Sequence, residues 1–442
     1  MRNFILVLIF ITVYIFGVQA QSQKEIKAVA QALKSMIKIP QEKDPDVNTI
    51  WDGTDLKIIP TVADSNFIIP VNAYGYMKQY SFYLSDHEVT NTEYKKFIIW
   101  VRDSLMKVAV MPMNPLVYRY TDYDGNIQNV NVLPDSLQWT KSGDHDGDLL
   151  SDSYHNNIEF DSYPVVNVSW EQAQAYIHWL NDRFKELLLN NNLYKSDWGK
   201  YRLPEADEWE FAVFSGRGWL DENQTAKRLY AWDGWQVMYG NKYQANFGNI
   251  IDQNGVTIKN PYDDGYSYTS PVKKFPQGIL GLYDMSGNVS EWTNTSFTLD
   301  SLKEFYRNFY RKTLGGKNSD YAFLFDELYK ENPDWSLFEK EVNKALGPDT
   351  IGVERYRPHM RDILIYLKEC KKDELHNANV LKRIQNAIIV KGGSWNDAPC
   401  YLMNSSRQVF SKTTANPEIG FRVALTLSPE LQKLLGKYML KK

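Results

Sequence analysis

The chain reads as a loop-rich α+β domain interrupted by a helical insertion. Three observations carry that reading. Two capping boxes open amphipathic helices in the first half of the chain. A long segment, Phe297–Ile389, carries helix starts, stops and apolar stripes of its own. Rings are abundant, with 13 Trp and 29 Tyr, as in loop-rich folds that bury large flat groups. The composition, 43% apolar and 24% charged, supplies ample material for a core. A formal net charge of −4 argues against a nucleic-acid surface.

Residues 1–20 read as a signal peptide. Arg2 gives the positive start, Phe4–Val18 is an almost unbroken apolar run, and Val18-Gln19-Ala20 is a small-residue cleavage pattern before Gln21. The run is shorter than the roughly 20 residues a membrane span needs. An exported, periplasmic mature protein is therefore expected. Cys370 and Cys400 are the only cysteines, which is too few for a disulfide framework.

Residues 21–65 hold an N-terminal helix and an extended segment. Ile26, Val29, Leu33 and Met36 fall at helical spacing within Glu25–Ile39, and Pro40 closes the run. This helix is expected to dock on the main domain or on a partner. Residues 66–296 form the first part of the main domain. Thr90-Asn91-Thr92-Glu93 caps a helix whose buried stripe is Tyr94, Phe97, Val101 and Leu105. Ser169-Trp170-Glu171-Gln172 caps a second, with Ala173, Tyr176, Ile177, Leu180 and Phe184 facing inward. Both, with a helix at Trp209, are expected to pack on a small sheet.

Residues 297–389 are the insertion. Leu302, Phe305, Tyr306, Phe309 and Tyr310 make one apolar face. Asn332-Pro333 starts another helix, and Gly347-Pro348 stops it. Pro358 opens a third, with Met360, Ile363, Leu364 and Leu367. A structureless loop of this length would be improbable in a compact domain. Its aromatic surplus fits either a partner site or a self-contained bundle. Residues 390–428 return to the main domain, and 429–442 are a C-terminal tail.

The segment Gly281–Trp292 reads as a loop that wraps a metal ion. Asp284 and Glu291 place hard anionic oxygens at its ends, Gly287 turns the backbone, and the Gly287 and Val289 carbonyls can point inward. Carboxylates and carbonyls at uneven spacing suit calcium. The plainer reading is a polar glycine turn with two solvated acids. The acidic run Asp144–Asp152 resembles an EF-type loop at positions 1, 3, 5 and 9. It lacks the glycine at 6 and the bidentate Glu at 12, where Leu149 and His155 stand, so a solvated loop is expected.

Six segments in order resemble the formylglycine-generating-enzyme, or sulfatase-modifying-factor, family: FYLSDHEVTNTEYKKF (Phe82–Phe97), YPVVNVSWEQAQAY (Tyr163–Tyr176), YRLPEADEWEFA (Tyr201–Ala212), GLYDMSGNVSEW (Gly281–Trp292), KGGSW (Lys391–Trp395) and IGFRVA (Ile419–Ala424). The resemblance implies a variant of the C-type-lectin fold holding two structural calcium ions. One site would use Asp284, Glu291 and the Gly287 and Val289 carbonyls. The other would use Asn246 and Asp264 by side chain, and Phe247 and Tyr266 by carbonyl. The family's enzymes bind copper(I) through two cysteines after GGSW and oxidise a substrate cysteine with oxygen. Here Asp397 stands at the first position and Cys400 lies near the second at a shorter spacing. Ser290 replaces a Trp. A pseudoenzyme is expected. The alternatives are an active copper- and oxygen-dependent formylglycine-generating oxidase and a lectin-like ligand-binding module.

Within the family, WVRDS, LPDSLQW (Leu133–Trp139) and SYPVVNVSWEQAQAY are similar to the noncatalytic GldK/PorK proteins of gliding motility and type IX secretion. Those form a periplasmic ring with a GldN/PorN-type partner. The resemblance implies protein partners in the cell envelope, a place in a larger assembly and no nucleic acid. Those proteins carry a lipidated N-terminal cysteine, whereas Gln21 follows the cleavage site here. Membrane association is expected to run through partners.

Overall fold

The N-terminal element of the domain is a helix over 23–32 (α1) that turns directly into strand β1, Met36–Ile39. The computed structural model describes residues 23–39, 59–61, 65–67, 82–107, 116–142, 145–195, 198–214, 230–232, 237–248, 250–251, 257–259, 261–278, 280–297, 387–397, 399, 401–402, 404 and 406–439. The signal segment, both cysteines and the body of the insertion (298–386) lie outside the described residues. Of the expected helix Glu25–Ile39, only the first part is helical. Met36–Ile39 instead pairs antiparallel with β2, Phe82–Ser85, with Met36 opposite Ser85. β-branched Ile37 and Ile39 suit a strand, and a vacant sheet edge outweighs weak helical spacing over four residues. The helix docks on the main domain, burying Ile26, Val29 and Leu33 in the principal core.

Both capping boxes form. Glu93 accepts from the Thr90 amide at 2.8 Å and from its hydroxyl at 2.9 Å, ahead of α2, Asn91–Lys107. Ser169 and Gln172 cap each other ahead of α4, Trp170–Asn190. The inward stripes meet. Tyr94 stacks on Tyr176 at 5.6 Å between centroids, and Phe97 meets the edge of the same ring at 5.9 Å. Each such buried ring contributes about 1.5–3 kcal/mol of transfer free energy.

Between them, strands β3 (Val117–Thr121) and β4 (Ile127–Asn131) form a hairpin, followed by α3, His145–Ser153. The described part of the acidic run, 145–152, is therefore helical rather than a loop, and Asp144 lies outside the described residues. Local hydrogen bonding along the helix, such as Ser153 Oγ to the Leu149 carbonyl at 2.6 Å, replaces the turn an EF-type loop would need.

Two four-stranded sheets form the main β-structure, beside short two-stranded pairs at 59–61/65–67, 238–239/242–243 and 250–251/257–259. One runs β1–β2–β10–β5, with β5 at Gly199–Arg202 and β10 at Ala424–Leu427. Asn181 of α4 shields its β5 edge: the side chain donates to the Tyr201 carbonyl at 2.9 Å and accepts from the Tyr201 amide at 2.7 Å. The other sheet runs β8–β7–β6–β9. Its strands are β6 (Ser290–Phe297), β7 (Ala387–Lys391), β8 (Gln408–Ser411) and β9 (Ile419–Gly420). The short helix α5, Ala206–Phe214, packs on β6 and β7, and the expected C-terminal tail instead holds a helix, α6 (Pro429–Met439), with Leu431 and Leu435 buried in the principal core. In the antiparallel pair, Phe297 of β6 lies opposite Ala387 of β7, so the insertion leaves and re-enters the sheet at one point. That geometry lets a long segment be added at little cost in closure entropy.

Candidate functional site

The loop that precedes β6 has the backbone its sequence suggests. Asp284, Gly287 and Asn288 all take left-handed conformations, at φ of 55°, 85° and 64°. For the two non-glycine residues that is a cost of about 1–2 kcal/mol each, concentrated in five residues. Gly287 has a second constraint: a Cβ there would lie 2.3 Å from the Asn246 carbonyl oxygen. Gly287→Ala is therefore expected to destabilise the protein by about 2–4 kcal/mol, backbone strain and overlap together, read as a lower urea midpoint at unchanged m.

The two acids of the loop are buried rather than solvated. Glu291 is held by a residue that linear reading did not single out. Arg422 donates to both its oxygens, Nε to Oε2 and Nη2 to Oε1, each at 2.6 Å. Trp209 Nε1 donates to Oε2 at 2.8 Å. A carboxylate has about four acceptor directions, so one remains open, on Oε1. Asp284 Oδ2 accepts the Lys273 amide at 2.7 Å. Asp284 Oδ1 is buried with no hydrogen-bond partner. A third acid, Glu88, is fully buried beside them. Its Oε2 accepts Asn288 Nδ2 at 2.8 Å and its Oε1 accepts the Val289 amide at 3.3 Å.

Three buried carboxylates thus face one buried guanidinium. Burial pushes Asp284 up to about 6, with Glu291 repelling it and the Lys273 amide and Arg422 pulling down. Burial and the charges of Asp284 and Glu291 push Glu88 well above the usual carboxylate range. A divalent cation would favour the ionised form of these acids and would satisfy Asp284 Oδ1. The donor set fits calcium.

The second group of expected ligands also comes together. Asp264 accepts the Phe247 amide and the Tyr266 amide, both at 3.2 Å. Asn246 Nδ2 donates to the Tyr268 carbonyl at 2.7 Å, while Asn246 Oδ1 is buried without a partner. Each loop therefore carries one buried hard oxygen without a hydrogen-bond partner, a donor of the type calcium takes. Among the described residues no set of three His, Cys, Asp or Glu side chains gathers for a metal. A cation in either loop would lean on carbonyls and Asn246 as much as on carboxylates.

Asp397, which the sequence resemblance sets at the first enzyme cysteine, caps its own turn. Its Oδ2 accepts the Ser394 amide at 2.8 Å and the Ser394 hydroxyl at 2.7 Å. Its Oδ1 accepts Gln408 Nε2 at 3.0 Å. Ser290, which the same resemblance sets at an enzyme Trp, donates its hydroxyl to Gln408 Oε1 at 3.1 Å. The two departures from the enzyme pattern are thus joined through one glutamine. Lys391 of KGGSW is buried, donating to Glu210 Oε1 and to the Asn404 carbonyl at 2.9 Å each. Cys400 lies outside the described residues.

Arg422, Glu88, Asn288 and Gln408 shape this site. Glu88 and Arg422 sit in the EVT and GFR motifs, which was the available signal. Their roles depend on contacts across 201 and 131 positions of chain, which no local pattern encodes.

A sulfatase-modifying factor enzyme 1-like domain matches residues 70–427. Inactive C-alpha-formylglycine-generating enzyme 2 from Bos taurus is 37% identical over 136 residues, 30% of this chain and 34% of that protein. Formylglycine-generating enzyme from Mus musculus is 34% identical over 141 residues, 31% of this chain and 28% of that protein. The match thus spans about a third of the length of these curated relatives. Among solved structures, PvdO from Pseudomonas aeruginosa is 15% identical, with a TM-score of 0.36 over 89% of this chain and 90% of its own. Mixed helix and sheet, long irregular connections and a family match across most of the chain agree: the protein belongs to the sulfatase-modifying factor enzyme 1-like domain family.

Proposed function

We propose that this chain is a noncatalytic, exported member of its family, serving as a periplasmic scaffold in a type IX secretion and gliding motility apparatus. The observation that carries the noncatalytic reading is Asp397. Its carboxylate accepts three hydrogen bonds within its own turn and from Gln408. Copper(I) is a soft ion that takes thiolates, and a committed carboxylate is no substitute. Relatives of both kinds exist, inactive and active. The WVRDS and LPDSLQW segments support the envelope role, with a GldN/PorN-type protein as the partner class. The test is incubation with copper(I), oxygen and a sulfatase-motif peptide. No aldehyde product is expected by mass spectrometry, and turnover would sink the noncatalytic reading. Pull-down from native envelope tests the scaffold half, which fails if no envelope protein is retained.

Calcium in this reading is structural. A ligand at a hundredfold excess over Kd adds about 2.7 kcal/mol to the folded state. Chelation is expected to lower the Tm of the wild type, and Glu291→Ala to blunt that response. Identical melts of metal-stripped protein with and without calcium would remove the idea.

A further inference from the structure

We propose that the two cation loops bind as a coupled pair and that Asn288 carries much of the coupling. The proposal rests on the calcium reading above. Asn288 belongs to the first loop, between the expected ligands Gly287 and Val289. Its bonds reach the second. The Asn288 amide donates to the Asn246 carbonyl at 2.9 Å. Asn288 Oδ1 accepts the Ser270 amide at 2.8 Å, just beyond the Asp264–Tyr266 segment. Asn288 Nδ2 is committed to Glu88 at 2.8 Å, which fixes the orientation of the side chain. Gly287 rests directly on the Asn246 carbonyl, where no Cβ would fit.

The mechanical consequence is direct. A cation held by Asp284 and the Gly287 carbonyl orders the Gly287–Asn288 peptide. That peptide contacts the Asn246 carbonyl, and it fixes the Asn288 side chain, whose Oδ1 holds the Ser270 amide beyond the Asp264–Tyr266 segment. Ordering one loop removes part of the conformational entropy the other would lose, which is positive coupling. All of these groups are buried, so water cannot readily substitute for the bridge.

The test is calorimetric titration of calcium into the metal-stripped mature protein. Asp264→Ala disables the second loop without touching the first. It is expected to weaken the remaining site by about tenfold, within the 5- to 150-fold range of coupled sites. Asn288→Gly tolerates the left-handed backbone and keeps the amide bond to Asn246, but removes the side-chain bonds to Ser270 and Glu88 that carry most of the coupling. In that background the effect of Asp264→Ala is expected to shrink to less than about threefold. If Asn288→Gly does not fold, hydrogen exchange decides in Asp264→Ala alone: calcium should raise protection of the Ser270 amide. Unchanged protection there overturns the role of Asn288. An unchanged first-site affinity in Asp264→Ala overturns the coupling and leaves the calcium reading standing. No calcium heat from wild type overturns both.

Discussion

Arg422→Met is expected to lower the unfolding free energy by about 3–5 kcal/mol, the range for breaking a buried ion pair from one side. Arg422 is fully buried and holds Glu291 by two bonds. It also donates to the Ser85 carbonyl at 3.1 Å and the Tyr283 carbonyl at 2.9 Å, tying β2 to the Gly281–Trp292 segment. Without it, Glu88, Asp284 and Glu291 face one another with no buried cation. Urea unfolding at constant m reads the loss. Added calcium should recover part of it in the variant. A loss under about 1 kcal/mol would mean that the carboxylates are already neutral and the guanidinium is a packing element only.

Acid is expected to weaken the fold through His155. Its Nδ1 faces Asn91 Oδ1 at 3.2 Å, while Nε2 is covered and without a partner. Burial, with the Lys95 charge adding to it, pushes the imidazole down to about 3. The folded pKa lies below the unfolded value near 6.5, so between those values the unfolded chain binds more protons. Stability from this group is whole above about pH 6.5 and is lost as pH falls toward 3. The full shift would be worth about 5 kcal/mol, and partial exposure of the ring reduces the expected loss to roughly half of that. His155→Asn should flatten the stability curve between pH 4 and 6.5, and parallel curves for the two proteins would refute the assignment.

The capping boxes at Thr90 and Ser169 were legible because their partners lie three residues apart, within reach of the local backbone. The turn at Gly287 was legible for the same reason, and so were the oxygen donors around it. Asp397 announced itself as a departure at a named position of a known motif.

What the linear order left open was what those groups touch. Asp284 and Glu291 would read equally well as solvated acids; burial against Arg422, Trp209 and Glu88 decides otherwise. Ser290 and Asp397 stand 107 positions apart and meet through Gln408. Met36–Ile39 carries a helical stripe and becomes a strand, because the open edge of β2 offers hydrogen bonds that no local preference can match. Propensities and caps are short-range and belong to the sequence. Which charges share a dry space, and which edge needs a partner, exist only once distant segments have packed.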